Sequence, residues 1–170
     1  MQPMIIRPYA PADHDALVHF MLELQSHFVA VDSMHEMRSF ASLEEARTYF
    51  DQALNDVVDM HGACFVAEID EEIVGFVQGV IATHESDVMH QLGHHHSKDG
   101  WIGLLFVDSD VRGQGIGRGL LDKMREYFHS QGCTTMRLKV MSDNVRAVHM
   151  YNAYGFKPKD IEMVLPLKKS

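Results

Sequence analysis

An almost unbroken apolar run at residues 101–107 ends in a glycine-rich turn and passes at once into a helix-patterned stretch. A run without alternation fits a central strand buried on both faces. Ile116, Leu120, Leu121, Met124, Tyr127 and Phe128 then recur at helical spacing, and Gly132 ends the pattern. Between them lies Arg112-Gly113-Gln114-Gly115-Ile116-Gly117-Arg118. The first N–H groups of a helix lack intrahelical partners, and with the helix dipole they form an anion site. Glycines let a diphosphate approach the backbone, and Arg112 and Arg118 add positive charge. The turn therefore points to a phosphorylated ligand. A purely structural turn is the competing reading.

Two common nucleotide signatures do not fit. A P-loop needs G-x-x-x-x-G-K-S/T, which is absent. A dinucleotide fingerprint needs G-x-G-x-x-G in a first βαβ unit. Counted from Gly115 and Gly117 the third glycine is Leu120, and from Gly113 and Gly115 it is Arg118.

The remaining chain sets this unit in a larger α/β pattern. Residues 4–7 read as a strand stopped by Pro8 and Pro11. Asp13 is placed to cap a helix carrying Leu17, Phe20, Met21, Leu24 and Phe28 on one face. Ser42 and Glu45 form an S-x-x-E capping box before a second helix with Ala46, Tyr49, Phe50, Ala53, Leu54 and Val57. Residues 63–69 and 73–81 form a hairpin around Asp70-Glu71-Glu72. Residues 84–100 read as a long histidine-rich loop. Met136, Leu138 and Val140 alternate with Arg137 and Lys139 as a strand. Asn144 caps a helix through Tyr154, closed by Gly155, and residues 156–167 offer one or two last strands. The order β-α-α-β-β-β-α-β-α-β predicts a single α/β domain over 1–170 with a mixed sheet.

Charge and cysteine usage narrow the class. Acidic residues outnumber basic ones 24 to 15, giving a formal net charge of −9. Nucleic-acid binding would need a basic stripe, so it is not expected. The acidity serves solubility and only weakly suggests a cationic partner. Cys64 and Cys133 lie far apart with no CxxC spacing, and read as free buried thiols. Neither a signal-peptide pattern nor an apolar run of membrane-spanning length is present, which sets the expectation of a cytoplasmic protein without membrane contact.

Two motifs carry a family resemblance. Arg112 to Gly117 matches the R/Q-x-x-G-x-G/A pattern of the GNAT superfamily N-acetyltransferases. One strand later, Asn144-x-x-Ala147-x-x-x-Tyr151-x-x-x-Gly155-Phe156 resembles that family's second helical motif. The resemblance covers nearly the whole chain. It implies a mostly antiparallel sheet flanked by helices on both faces and splayed where acetyl-CoA binds. It implies acetyl-CoA as cosubstrate, no metal requirement, and direct transfer of the acetyl group to a primary amine of a small molecule or a peptide. Homodimers occur in the family. By the same resemblance, the backbone of Leu105, Phe106 and Val107 lines the pantetheine arm, and the loop of Arg112, Gly113, Gln114, Gly115, Ile116, Gly117 and Arg118 holds the pyrophosphate. Asn144 contacts coenzyme A besides capping its helix. Tyr151 is the general acid for the departing thiolate, and Tyr154 is structural.

The general base stays open. Some family members carry a Glu five residues ahead of the Asn, and here Lys139 stands in that place. His84, Glu85, Asp87, Glu68 or a water chain are the alternatives. His84, His90, His94, His95 and His96 could bind a metal, but no cysteine or ligand-spaced helix accompanies them, so an incidental polar loop is expected. That loop and the first two helices should shape the acceptor site. Two rivals to the enzyme remain: a non-catalytic acyl-CoA-binding module, and a metal-binding protein using the histidine loop.

Overall fold

A computed structural model of the chain describes residues 4–83, 98–165 and 167. Its elements are β1 (Ile5–Pro8), α1 (His14–Val31), α2 (Leu43–Asp59), β2 (Ala63–Ile69), β3 (Glu72–Thr83), β4 (Lys98–Val107), α3 (Ile116–Ser130), β5 (Thr135–Leu138) and α4 (Val145–Tyr154). Short 3-10 turns occupy Pro11–Asp13 and Ser109–Val111. The five strands form one sheet in chain order. β1 to β4 are antiparallel to their neighbours, and β5 is parallel to β4.

Strand alternation divides the core between the two faces. Cys64 and Val66 of β2 point to the α1/α2 side, with Leu17, Met21, Leu24 and Phe50. Phe65 and Ala67 point to the α3 side, with Ile116, Leu120, Leu121, Met124 and Phe128. On β4 the alternation is interrupted. Gln78 pairs with Leu104 and Gly79 with Ile102, leaving Gly103 as the extra residue of a β-bulge. Ile102 therefore faces α3 although Leu104, two residues on, faces α1 and α2.

Two glycines make room for the last turn of α3. A Cβ at Gly100 would lie 2.4 Å from the Phe128 ring, and one at Gly79 would lie 2.8 Å from it. Phe128 thus seats in a hollow that side chains on β3 and β4 would fill.

Several expectations change. Asp13 does not cap α1 with its side chain. Its carboxylate binds Arg7 in two hydrogen bonds, of 2.8 and 2.9 Å, and accepts Ala10 N–H at 2.8 Å. A nearby guanidinium outcompetes the helix end, because hydrogen bonds between charged groups are the stronger ones. Ser42 Oγ does cap α2 by accepting Glu45 N–H at 3.2 Å. Glu45 reaches back one residue too far for the box and accepts Ala41 N–H at 2.5 Å. The hairpin turn is tighter than expected: Asp70 and Glu71 both have positive φ, and Glu72 already belongs to β3. β4 starts at Lys98, inside the expected loop, and β5 ends at Leu138, short of Val140.

The strands expected over 156–167 do not form among the described residues. The apolar alternation is there, but Ile161, Met163 and Leu165 are more than 80% exposed (86%, 90% and 81%). A strand needs a ladder partner and a face to bury, and among the described residues this segment finds neither; Pro158 also lacks an N–H for a ladder. His84, Glu85, Asp87, His90, His94, His95 and His96, the candidates for a base or a metal site, lie outside the described residues.

Candidate active site

The glycine turn joins the end of β4 to the start of α3. Asp108 Oδ1 accepts Asp110 N–H at 3.0 Å and sets the first bend. Gly113 and Gly115 then each take φ near +84°, a left-handed conformation that costs other residues about 1–2 kcal/mol. A Cβ at either position meets nothing within 4 Å, so φ rather than crowding calls for glycine. The space over the turn is open. No side chain caps α3, and its first backbone bond runs from Gly119 N–H to Gly115 O at 3.0 Å. The N–H groups of Ile116, Gly117 and Arg118 precede that first bond and are left for a ligand. Arg112 Nε donates to Val107 O at 2.9 Å, which fastens its guanidinium to the turn. Arg118 lies 5.5 Å from the Tyr154 ring centroid. Every member of the expected loop is thus at this one corner.

A gap in the sheet opens beside it. β4 and β5 pair only from Asp99↔Thr135 to Ile102↔Leu138. From the Gly103 bulge onward β4 keeps β3 on one side, through Leu104↔Gln78 to Val107↔Gly75, and among the described residues has no strand on the other. Leu105, Phe106 and Val107 therefore border the gap with their backbone while their side chains pack. Leu105 and Val107 lie on the α3 side, and Phe106 stacks on Phe20 at 4.7 Å.

α4 packs beside the α3 corner of the gap, where Met150, Tyr151 and Tyr154 join the α3 core. Asn144 is buried, and its Oδ1 accepts Ala147 N–H at 3.2 Å, the expected cap. Tyr151 packs with the α3 core and meets the Phe156 ring edge-on at 5.7 Å. Burial pushes its phenol up to about 12, and among the described residues no group hydrogen-bonds its hydroxyl. Tyr154 is committed elsewhere. Its hydroxyl donates to Asp122 Oδ1 at 2.8 Å, and Arg118 and Arg125 flank its ring.

A cavity of about 320 Å³ lies between α2 and the mouth of the gap. Val80, Trp101 and Leu104 give it an apolar floor, Tyr49 and Asp56 form its α2 wall, and Lys139 closes the β5 side. Gln78 sits at its base, buried, its Nε2 donating to Ala53 O at 3.1 Å. Gly103 leaves room for that amide, since a Cβ there would be 2.5 Å from Gln78 Oε1. Ser33 N–H donates to Asp143 Oδ2 at 3.3 Å, and the Ser33 hydroxyl donates to the same oxygen. The α1–α2 loop is thereby tied to the turn that leads into α4.

Sequence reasoning missed Gln78, Asp56 and the role of Tyr49. Gln78 gave a signal as the one polar side chain in the run 73–81. Tyr49 reads as part of the buried helix face but is 52% exposed at the cavity. Glu68 is removed as a base: it binds Arg7 Nε at 2.8 Å, on a strand separated from β4 by β3. Cys64 is buried and pushed up to about 12, so it holds its proton and is no nucleophile. Cys133 is also free but only partly buried.

Residues 26–156 match the family model for the Acetyltransferase (GNAT) family. An uncharacterized N-acetyltransferase of Methanocaldococcus jannaschii is 31% identical over 97 residues, covering 57% of this chain and 40% of that protein. The mycothiol acetyltransferase of Acidothermus cellulolyticus is 34% identical over 97 residues, covering 55% of this chain and 29% of the relative. The match thus spans less than half the length of these curated relatives. Among solved structures, a mutant of a Bacillus halodurans protein is 22% identical and superposes with a TM-score of 0.82 over 96% of this chain and 99% of that one. It shares the fold. Among the described residues no helix is long and apolar enough to cross a membrane.

Proposed function

Because the chain belongs to the GNAT acetyltransferase family, we propose that it moves an acetyl group from acetyl-CoA directly onto a primary amine. One observation carries this reading: the uncapped start of α3, behind Gly113 and Gly115, adjoins the stretch of β4 that has lost its strand neighbour. An anion corner and an unpaired extended backbone, side by side, fit a ligand with a diphosphate at one end and an amide-containing arm at the other.

In this reading Ile116, Gly117 and Arg118 present N–H groups to the diphosphate, with Arg112 and Arg118 adding charge. Gly113, Gln114 and Gly115 shape the turn around it. The backbone groups of Leu105, Phe106 and Val107 that β3 and Arg112 leave unbonded pair with the arm, and Asn144 borders it from α4. Acetyl-CoA, so held, supplies a thioester next to the cavity. A β4 N–H in the gap donates to the carbonyl oxygen as negative charge grows there, an effect worth a few kcal/mol. Tyr151 keeps its proton at neutral pH and donates it to the leaving sulfur. Lys139 stands where a carboxylate base would be, and in this reading the amine attacks as the free base after its proton has passed to water.

Calorimetric titration of acetyl-CoA into wild type, Gly115→Ala and Gly115→Glu tests the reading. Both variants share the backbone strain, and only Glu adds charge at the anion corner. Micromolar affinity in wild type and a loss of at least about tenfold more in Glu than in Ala are expected, the cost of placing like charges together. Folded wild type that does not bind acetyl-CoA would sink the proposal. Binding without thiol release across an amine panel would favour a non-catalytic acyl-CoA module.

A further inference from the structure

The cavity beside the gap carries charges that the catalytic reading leaves unused. Lys139 lines it on the β5 side and forms no ion pair among the described residues. Arg137, two residues earlier on β5, lies over the Trp101 ring at 6.0 Å and 2.9 Å from Asp99 Oδ2, so that charge is already balanced. On the opposite wall Asp56 accepts only the Gln52 amide, at 2.9 Å, and no cation pairs with it among the described residues. Asp56 also lies in the last turn of α2, where the helix dipole is negative. The cavity is therefore positive at the gap and negative across from it, over an apolar floor.

We propose that the acceptor is a small α-amino acid with its carboxylate free, a reading that rests on the acetyltransferase assignment. Lys139 stands just after the last β4–β5 pair, Ile102↔Leu138, where the gap begins. An anionic group held there lies beside the amine that enters the gap, as in an amine and a carboxylate on one carbon. The apolar floor receives the side chain, and Asp56 with the Tyr49 hydroxyl receives donors at its far end. An uncompensated ammonium at the gap repels a polyamine, which brings only positive charge. The cavity's 320 Å³ lies within the range of small-molecule sites.

The test pairs each acid with its own α-amide, which keeps the shape and removes the charge. Leucine, phenylalanine, methionine and lysine, their α-amides, and spermidine are compared by thiol release from acetyl-CoA. At least one free acid should exceed its amide by about tenfold or more in kcat/KM, the size of one charge-assisted contact. Lys139→Met should bring that ratio to near one, and Lys139→Arg should retain it. Affinity for acetyl-CoA should stay within about twofold in both. Trp101 is the sole tryptophan and lines the cavity, so its fluorescence gives a reading independent of turnover. The preferred acid should change it in the coenzyme A complex of wild type but not of Lys139→Met. A wild-type preference for amides or spermidine would overturn the proposal. So would a ratio unaltered in Lys139→Met, or acetyl-CoA binding with no acceleration by any of the acids. Absence of acetyl-CoA binding, by contrast, strikes the acetyltransferase assignment itself.

Discussion

Tyr151 holds its phenolic proton because its ring is packed against Phe156 and away from water. A pKa of about 12 keeps the acid form through the whole neutral range. The acid limb of the kcat/KM profile then reports the acceptor ammonium, and no alkaline limb from Tyr151 should appear below about pH 11. Tyr151→Phe should lower kcat by about a hundredfold and leave acetyl-CoA affinity within about threefold, as measured by steady-state kinetics and calorimetry. The same proton bears on stability. The folded pKa is raised above the unfolded value near 10, so the folded state holds the proton more tightly. The stabilising contribution is complete below pH 10 and fades as pH rises toward about 12. Urea melts at pH 9 and pH 11.5 should show wild type losing more stability than Tyr151→Phe. Gly113 and Gly115 were legible in the sequence because a turn between a strand and a helix sets their conformation locally, whereas Tyr151 was singled out by the motif resemblance alone. Gln78 and Asp56 were not, since only the packing of α2 on the sheet makes them share a cavity.

At the scale of elements, helix ends show where local chemistry decides and where it yields. Ser42 and Asn144 cap as their sequences indicate, because each accepts an N–H three residues on. Asp13 yields to Arg7, which β1 delivers from outside the helix. Asn144→Ala should cost about 1 kcal/mol in urea unfolding, and Asn144→Asp, which keeps an acceptor, about half of that or less. Strands divide the same way. β2 to β4 were legible from runs of apolar residues, whereas 156–167 has a strand's alternation and no partner to pair with. Alternation shows which side of a strand is apolar but cannot supply its neighbour.

Across the whole molecule, the sheet carries two cores, and its fit to α3 depends on residues with no side chain. Gly79 and Gly100 leave the hollow that Phe128 fills. Gly100→Ala drives a methyl into that ring, and overpacking of this kind costs about 1–3 kcal/mol. Urea unfolding should show such a loss, and Gly100→Ala with Phe128→Leu should recover part of it. Nothing in the sequence marks these two glycines apart from those of the turn. Their meaning arises from the β3–β4 register and from where the last turn of α3 lands, both long-range consequences of the fold.

The short seam between β4 and β5 has one more consequence. β5 is only 4 residues long and reaches the sheet along one edge. In the proposed binding mode a ligand in the gap would touch β4 and α3 on one side and α4, which follows β5, on the other. It would therefore act as a splint across a seam of only four residue pairs. By mass action a ligand at a hundred times its Kd adds about 2.7 kcal/mol to the state that binds it. If β5 and α4 open locally before the remainder unfolds, deuterium uptake at Thr135–Leu138 should slow by up to about a hundredfold when acetyl-CoA is added. Uptake at Ala63–Ile69, zipped between two strands, should scarcely change.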